Sequence, residues 1–217
     1  NFIPLHSKFF FFFFMLQTTM VVAPRNFTAR LVDYGQLFKL RLASLVVLSA
    51  ALAFLIGSTT IDYTKLWLLV LGGFLVTGSS NGLNQIYERR TDKIMKRTRQ
   101  RPLPDSRMSL TESLIVTITA GLVGLFILTY FINLYSGILG LIALVSYAFA
   151  YTPLKGVTPL SVFVGAFPGA IPTLLGWVAA TGEFSYQGWI LFSIQFMWQF
   201  PHFWAIAWKL YDDYMSA

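Results

Sequence analysis

Long apolar runs recur along the chain, and short polar stretches separate them. Runs of about 20 apolar residues are long enough for an α-helix to cross the hydrocarbon core of a bilayer. The pattern predicts an all-α, polytopic transmembrane helical bundle. Its six predicted spans cover residues 40–56, 66–87, 110–132, 135–151, 160–180 and 188–208. An amphipathic segment, residues 33–41, precedes the first span and is expected to lie at the membrane surface.

Composition agrees with a membrane protein and excludes cysteine chemistry. Apolar residues make up 56% of the chain and charged residues 12%, about half the charged share of soluble domains. There is no cysteine, so disulfides and thiolate catalysis are excluded. The net charge of +7 lies mostly in one loop. Membrane topology explains this uneven distribution of positive charge better than binding to nucleic acid does.

The distribution of basic residues predicts the orientation of the bundle. If the N-terminus lies inside, 15 of the 16 Lys and Arg residues fall on the inner side and only Lys65 falls outside. This positive-inside pattern predicts that the ends of the second and sixth spans face the cytoplasm. A bacterial inner membrane fits the short N-terminal arm, and a mitochondrial inner membrane is also compatible.

Both ends of the sequence differ from the rest. Residues 1–30 include six consecutive Phe residues and are expected to be disordered or not translated, with the true start at Met15 or Met20. Residues 31–217 are expected to form the transmembrane domain. Because the sequence stops just after a charged cluster, we expect this domain to be truncated at its C-terminus.

Oxygen-bearing side chains follow one another at helical spacing at the end of the second span. Asn84, Glu88 and Asp92 are four residues apart, so on a helix they line one stripe. Two carboxylates and an amide are hard oxygen ligands of the kind that Mg²⁺ prefers. An ordinary membrane-helix end with flanking charges is the alternative interpretation. A second acidic pair, Asp212 and Asp213, follows the sixth span, and a bundle that joins the two ends would make one acidic pocket.

Basic side chains lie close to both acidic clusters. Cations beside a metal suit a bound diphosphate, because they neutralise the charge that develops as it leaves. Arg97 and Arg101 are the first candidates for diphosphate contact, followed by Lys155 and Lys209. The combination predicts ionisation of an allylic diphosphate and transfer of its prenyl group to an acceptor. The apolar bundle would take up the hydrocarbon chain.

Four motifs together resemble a known family. They are the stripe with the residues that follow it (KRT at 96–98 and RPLP at 101–104), YTPLK at 151–155, VGAFPGAIP at 164–172, and PHFW at 201–204 with DDY at 212–214. They resemble the UbiA-type intramembrane prenyltransferase superfamily typified by 4-hydroxybenzoate polyprenyltransferase, and within it the protoheme IX farnesyltransferase (haem O synthase) branch. Glu88 stands where many relatives carry Asp. Gln85 stands where the quinone-pathway branch often has a second Asp, which slightly disfavours that branch.

The resemblance implies a fold, a reaction and a metal site. The superfamily has nine transmembrane helices, so this chain would lack about three. The implied reaction joins farnesyl diphosphate to the vinyl group of haem b with addition of water, giving haem O and diphosphate for haem A biosynthesis. Mg²⁺ would be held by Asn84, Glu88, Asp92 and the pair Asp212 and Asp213. Haem A synthase is the implied protein partner.

His202 is one of two histidines and lies at membrane depth, where ionisable residues are functional candidates. It could ligate haem iron or accept the proton of the attacking step, and it could instead only hydrogen-bond across helices.

Three alternative functions stay open at this stage. The same fold could prenylate an aromatic or quinone precursor. The chain could be a transporter or channel with gating carboxylates, although acids at one edge of the membrane disfavour an ion path. It could also be an assembly subunit that performs no chemistry.

Overall fold

A computed structural model describes residues 26–155 and 157–209, and every regular element within these ranges is a helix. The predicted all-α bundle is therefore confirmed. The helices are α1 (Phe27–Leu37), α2 (Leu40–Gly57), α3 (Tyr63–Ile94), α4 (Leu110–Ile132), α5 (Leu134–Leu154), α6 (Ser161–Thr181) and α7 (Tyr186–Lys209). Asp212 and Asp213 lie outside the described residues.

Five of these helices, α2 to α6, are long and apolar enough to cross a membrane. Helix α7 has the necessary length, with 24 residues and thus about 36 Å of helix. Its most apolar stretch is less hydrophobic than those of the other five, because Gln195, Gln199 and His202 interrupt it. The sixth predicted span therefore forms a helix, but its hydropathy does not match that of the other five.

Helix α3 is longer than the sequence predicts. The apolar run ends at residue 87, whereas the helix continues without a break to Ile94. Asp62 caps its N-terminus by accepting a hydrogen bond from the backbone N–H of Lys65, and Lys93 lies in its last turn, where a cation stabilises the helix dipole. The extension keeps Glu88 and Asp92 in the same helical register as Asn84.

Close approach between helices depends on glycine at two positions. A Cβ atom at Gly176 of α6 would overlap the carbonyl oxygen of Ala50 on α2. A Cβ at Gly124 of α4 would lie 2.9 Å from the carbonyl oxygen of Gly72 on α3. Such contacts are typical of membrane bundles, in which van der Waals packing between small residues replaces hydrophobic driving force. The larger side chains of the core include Phe54, Leu69, Leu128, Leu139 and Leu174.

Consecutive spans run in opposite directions, so the ends of α3, α5 and α7 meet the start of α2 at one end of the bundle. Lys39 and Asn84 are joined by a hydrogen bond there, and the rings of Tyr151 and Phe203 lie 5.7 Å apart. We call this region, which contains these four residues, the head end. The predicted ends of spans two and six therefore lie on the same side of the bundle.

Helix α1 lies against the head end through polar contacts. Its Asp33 is buried and forms an ion pair with Arg107 from the loop between α3 and α4. Glu112, in the first turn of α4, accepts hydrogen bonds from Arg30 at 3.0 Å and from the Tyr34 hydroxyl at 2.7 Å. These contacts fix the loop that carries the predicted diphosphate-binding arginines.

Candidate active site

The predicted stripe forms one edge of the head end. Asn84 and Asp92 are buried, and Glu88 is partly buried. All three lie within the unbroken helix α3, so their spacing of four residues aligns their side chains along one face. Across residues 26–155 and 157–209, no three carboxylate or imidazole groups lie close enough to hold a metal together. The described part of the site therefore offers two carboxylates and the Asn84 amide.

Each side chain of the stripe is contacted through one oxygen by a cation from a different part of the chain. The Lys39 ammonium, at the start of α2, donates to Asn84 Oδ1 at 3.0 Å. The Lys155 ammonium, just after α5, lies 3.3 Å from Glu88 Oε1. Arg101 Nη1, from the loop after α3, lies 2.6 Å from Asp92 Oδ2. Three cations and two carboxylates thus meet at the head end and leave one net positive charge.

Asn84 is held in one orientation by its two neighbours. Its Nδ2 group donates to Thr152 Oγ1 at 3.2 Å, and the Thr152 hydroxyl donates in turn to the carbonyl of Tyr147 at 2.8 Å. Because the amide nitrogen is used in this way, Asn84 Oδ1 faces Lys39. This is the orientation in which an amide can serve as an oxygen ligand.

Lys39 is a member of the site that the sequence does not reveal. Burial, followed by the nearby charge of Arg101, lowers the pKa of Lys39 to about 8 from its ordinary value of 10.5. The side chain is still mostly protonated at neutral pH. A lysine at the start of a membrane span ordinarily serves topology, so its sequence position carries no signal of this role.

The other predicted basic residues differ in their placement. Arg101 contacts the stripe directly, whereas Arg97 is exposed on the same loop. Between them, the buried Thr98 donates a hydrogen bond to the backbone carbonyl of Asp92 at 3.0 Å and fixes the loop against α3. Lys209 is exposed at the last residue of α7.

His202 lies on α7 beside the end of α5. Its ring stacks on Trp198 with a centroid distance of 4.6 Å, and the next residue, Phe203, packs against Tyr151. Helix α7 is joined to α6 by Gln199, which donates to the carbonyl of Gly169 at 3.1 Å. The structure therefore brings His202 to the head end on a surface rich in aromatic rings.

The chain belongs to the UbiA prenyltransferase family, which matches residues 44–217. It is 51% identical to a protoheme IX farnesyltransferase of Christiangramia forsetii over 86% of this chain and 62% of that protein, and 46% identical to one of Cytophaga hutchinsonii over 85% and 65%. A mitochondrial protoheme IX farnesyltransferase of Arabidopsis thaliana is 40% identical over 85% of this chain and 43% of that protein. The chain thus spans less than two thirds of the length of these relatives. No solved structure matches it.

Proposed function

We propose that this chain carries the metal and diphosphate site of an integral-membrane farnesyltransferase that converts haem b to haem O. The three cation–oxygen pairs along the stripe support this most strongly, because they gather hard oxygen ligands and phosphate-binding cations in one place. Relatives named protoheme IX farnesyltransferase favour farnesyl diphosphate and haem b as the substrates.

Asn84, Glu88 and Asp92 would hold Mg²⁺, and Asp212 and Asp213 would complete its ligands. The donor set fits, since Mg²⁺ is usually bound by one or two carboxylates together with substrate phosphates and water. When bound, Mg²⁺ would neutralise part of the negative charge on the departing diphosphate.

The cations that now contact the stripe would turn to the substrate phosphates. Lys39, Arg101 and Lys155 are within hydrogen-bonding reach of the proposed metal ligands, so a phosphate bound there lies within their reach as well. Arg97 and Lys209 would add charge at the rim of the site. Together these groups stabilise diphosphate as its bond to the farnesyl carbon breaks.

The acceptor side of the reaction would involve His202. The C–O bond of farnesyl diphosphate breaks, a C–C bond forms to one vinyl carbon of haem b, and the oxygen of water adds to the other vinyl carbon. One proton leaves the added water, and a neutral imidazole can accept it or can instead ligate the haem iron. The apolar surfaces of the bundle would hold the farnesyl chain away from water.

The proposed location is the cytoplasmic face of a bacterial inner membrane, or the equivalent face of a mitochondrial inner membrane. The one-sided distribution of Lys and Arg supports this orientation. Haem A synthase is the proposed partner, because it would consume the haem O that is released.

Product analysis tests this proposal. Membranes containing the protein are incubated with haem b, farnesyl diphosphate and Mg²⁺, and the haem is analysed by mass spectrometry. We expect a product heavier than haem b by one farnesyl group and one hydroxyl group. Unchanged haem, or preferential prenylation of 4-hydroxybenzoate offered in competition, would contradict the proposal.

A further inference from the structure

The turn between α1 and α2 is held by side-chain amides from α3. Gln85 Nε2 donates to the carbonyl oxygens of Gln36 and Leu37, both at 2.8 Å. Asn81 Nδ2 donates to the carbonyl oxygen of Phe38 at 3.1 Å. Asn81 and Gln85 are almost completely buried, at 1% and 0% exposed. Three consecutive carbonyls are therefore bound by two side chains from one face of α3.

These carbonyls belong to a helix end, where backbone acceptors have no partner within the helix. The Gln36 carbonyl also accepts from the backbone N–H of Lys39 at 3.2 Å. Within the described residues, the carbonyls of Leu37 and Phe38 accept from the Gln85 and Asn81 side chains, which spare them the cost of an unpaired acceptor. Gln85 Oε1 accepts no hydrogen bond within the described residues, so Gln85 acts here through its two donor contacts.

The residue that follows the three carbonyls is Lys39, whose backbone is in the left-handed region with φ of 50°. A non-glycine residue adopts this conformation only where its surroundings hold it. The conformation turns the chain so that α2 can begin and so that the Lys39 ammonium reaches Asn84, one helical turn from Asn81. The stripe and the two amides lie on the same helix, so α3 contacts both the Lys39 ammonium and the turn that precedes it.

We propose that Asn81 and Gln85 are positioning residues, which bind the α1–α2 turn so that Lys39 presents its ammonium to the diphosphate. This inference rests on the proposed function of the site. It predicts that loss of either amide weakens diphosphate binding only through Lys39, and that the stripe itself is unaffected.

A double-mutant cycle measures this dependence. The binding of inorganic pyrophosphate with saturating Mg²⁺ is measured by calorimetry on the purified protein in lipid nanodiscs. Gln85→Leu is expected to weaken pyrophosphate binding by about tenfold, because the misplaced Lys39 ammonium would lose its hydrogen bond to a phosphate oxygen. This factor is the lower end of the range for a hydrogen bond to a charged group. In a Lys39→Met background, Gln85→Leu should cause no further loss beyond about twofold. Asn81→Leu should behave in the same way, and it replaces Gln85→Leu in the cycle if that variant does not fold.

Asn133→Leu is the matched control. Asn133 Nδ2 donates to the carbonyl of Val178 at 3.0 Å at the opposite end of the bundle, so its loss also removes a side-chain amide contact. It should lower the unfolding temperature and leave the pyrophosphate affinity unchanged.

Three results would overturn the inference. If Lys39→Met weakens pyrophosphate binding but Gln85→Leu and Asn81→Leu do not, or if their effects persist in the Lys39→Met background, the amides do not act through Lys39. If Lys39→Met itself leaves binding unchanged, the role of Lys39 in the proposed function fails, and the inference fails with it.

Discussion

Replacing Arg101 with Met should change the binding of metal and of diphosphate in opposite directions. Arg101 Nη1 lies 2.6 Å from Asp92 Oδ2, and the two side chains are only 19% and 4% exposed. In the absence of ligand, Arg101 therefore occupies an oxygen that we assign to Mg²⁺. A metal ion has to displace this contact, whereas a diphosphate gains Arg101 as a partner.

The expected magnitudes follow from the strength of this contact. A hydrogen bond to a charged group contributes about 1.5–3 kcal/mol, so its removal should strengthen Mg²⁺ binding to the ligand-free protein by about 10- to 100-fold. The same loss should weaken pyrophosphate binding in saturating Mg²⁺ by a similar factor. Without metal, the unpaired Asp92 carboxylate should lower the free energy of unfolding by about 2–3 kcal/mol, less than for a fully buried pair because Arg101 is partly exposed.

Two titrations in lipid nanodiscs test this prediction. The unfolding temperature is followed as Mg²⁺ is added, since a ligand that binds only the folded state raises it with concentration. Pyrophosphate affinity is then measured by calorimetry. Arg30→Met is the matched control, because Arg30 forms an ion pair with Glu112 outside the stripe and should alter neither affinity. An unchanged or weaker Mg²⁺ affinity in Arg101→Met would refute the proposed competition.

Further predictions concern the carboxylates and the helix packing. Glu88→Gln and Asp92→Asn should each lower product formation at least about 100-fold, because each replaces one of the two charged Mg²⁺ ligands of the stripe with a neutral amide. Tolerated substitutions, measured by mass spectrometry of the haem product, would favour an assembly role. Gly176→Ala should destabilise the bundle by about 1–3 kcal/mol in denaturant titrations, because the added Cβ meets backbone. Gly73→Ala is its control, since its Cβ would only touch Val47 at 3.6 Å; equal stabilities of the two variants would contradict the packing described above.

Local periodicity was sufficient to predict the stripe. Asn84, Glu88 and Asp92 follow the 3.6-residue period of a helix, and the structure continues that helix to Ile94. The alternation of spans also predicted which span ends lie on the same side, because consecutive helices with short connections run in opposite directions. Lys155 is an example: it is the only charged residue of its loop, it was predicted to lie on the same side as Glu88, and its ammonium lies 3.3 Å from Glu88 Oε1.

Contacts between distant parts of the chain could not be predicted in this way. Lys39 reaches Asn84 across 45 positions, and Arg107 reaches Asp33 across 74, so neither contact has a local pattern. Arg97 and Arg101 look equivalent in sequence because the loop has no regular period that would assign their directions. The structure separates them: Arg101 contacts Asp92, and Arg97 is exposed.

The position of the metal is the most direct test of the central claim. Crystals of the protein soaked with Mn²⁺ and pyrophosphate would reveal the metal by anomalous scattering. We predict a peak within coordination distance of oxygens from Asn84, Glu88 or Asp92, with Arg101 turned from Asp92 toward a phosphate. A manganese peak elsewhere in the molecule, with the pair of Arg101 and Asp92 intact beside bound pyrophosphate, would contradict the account.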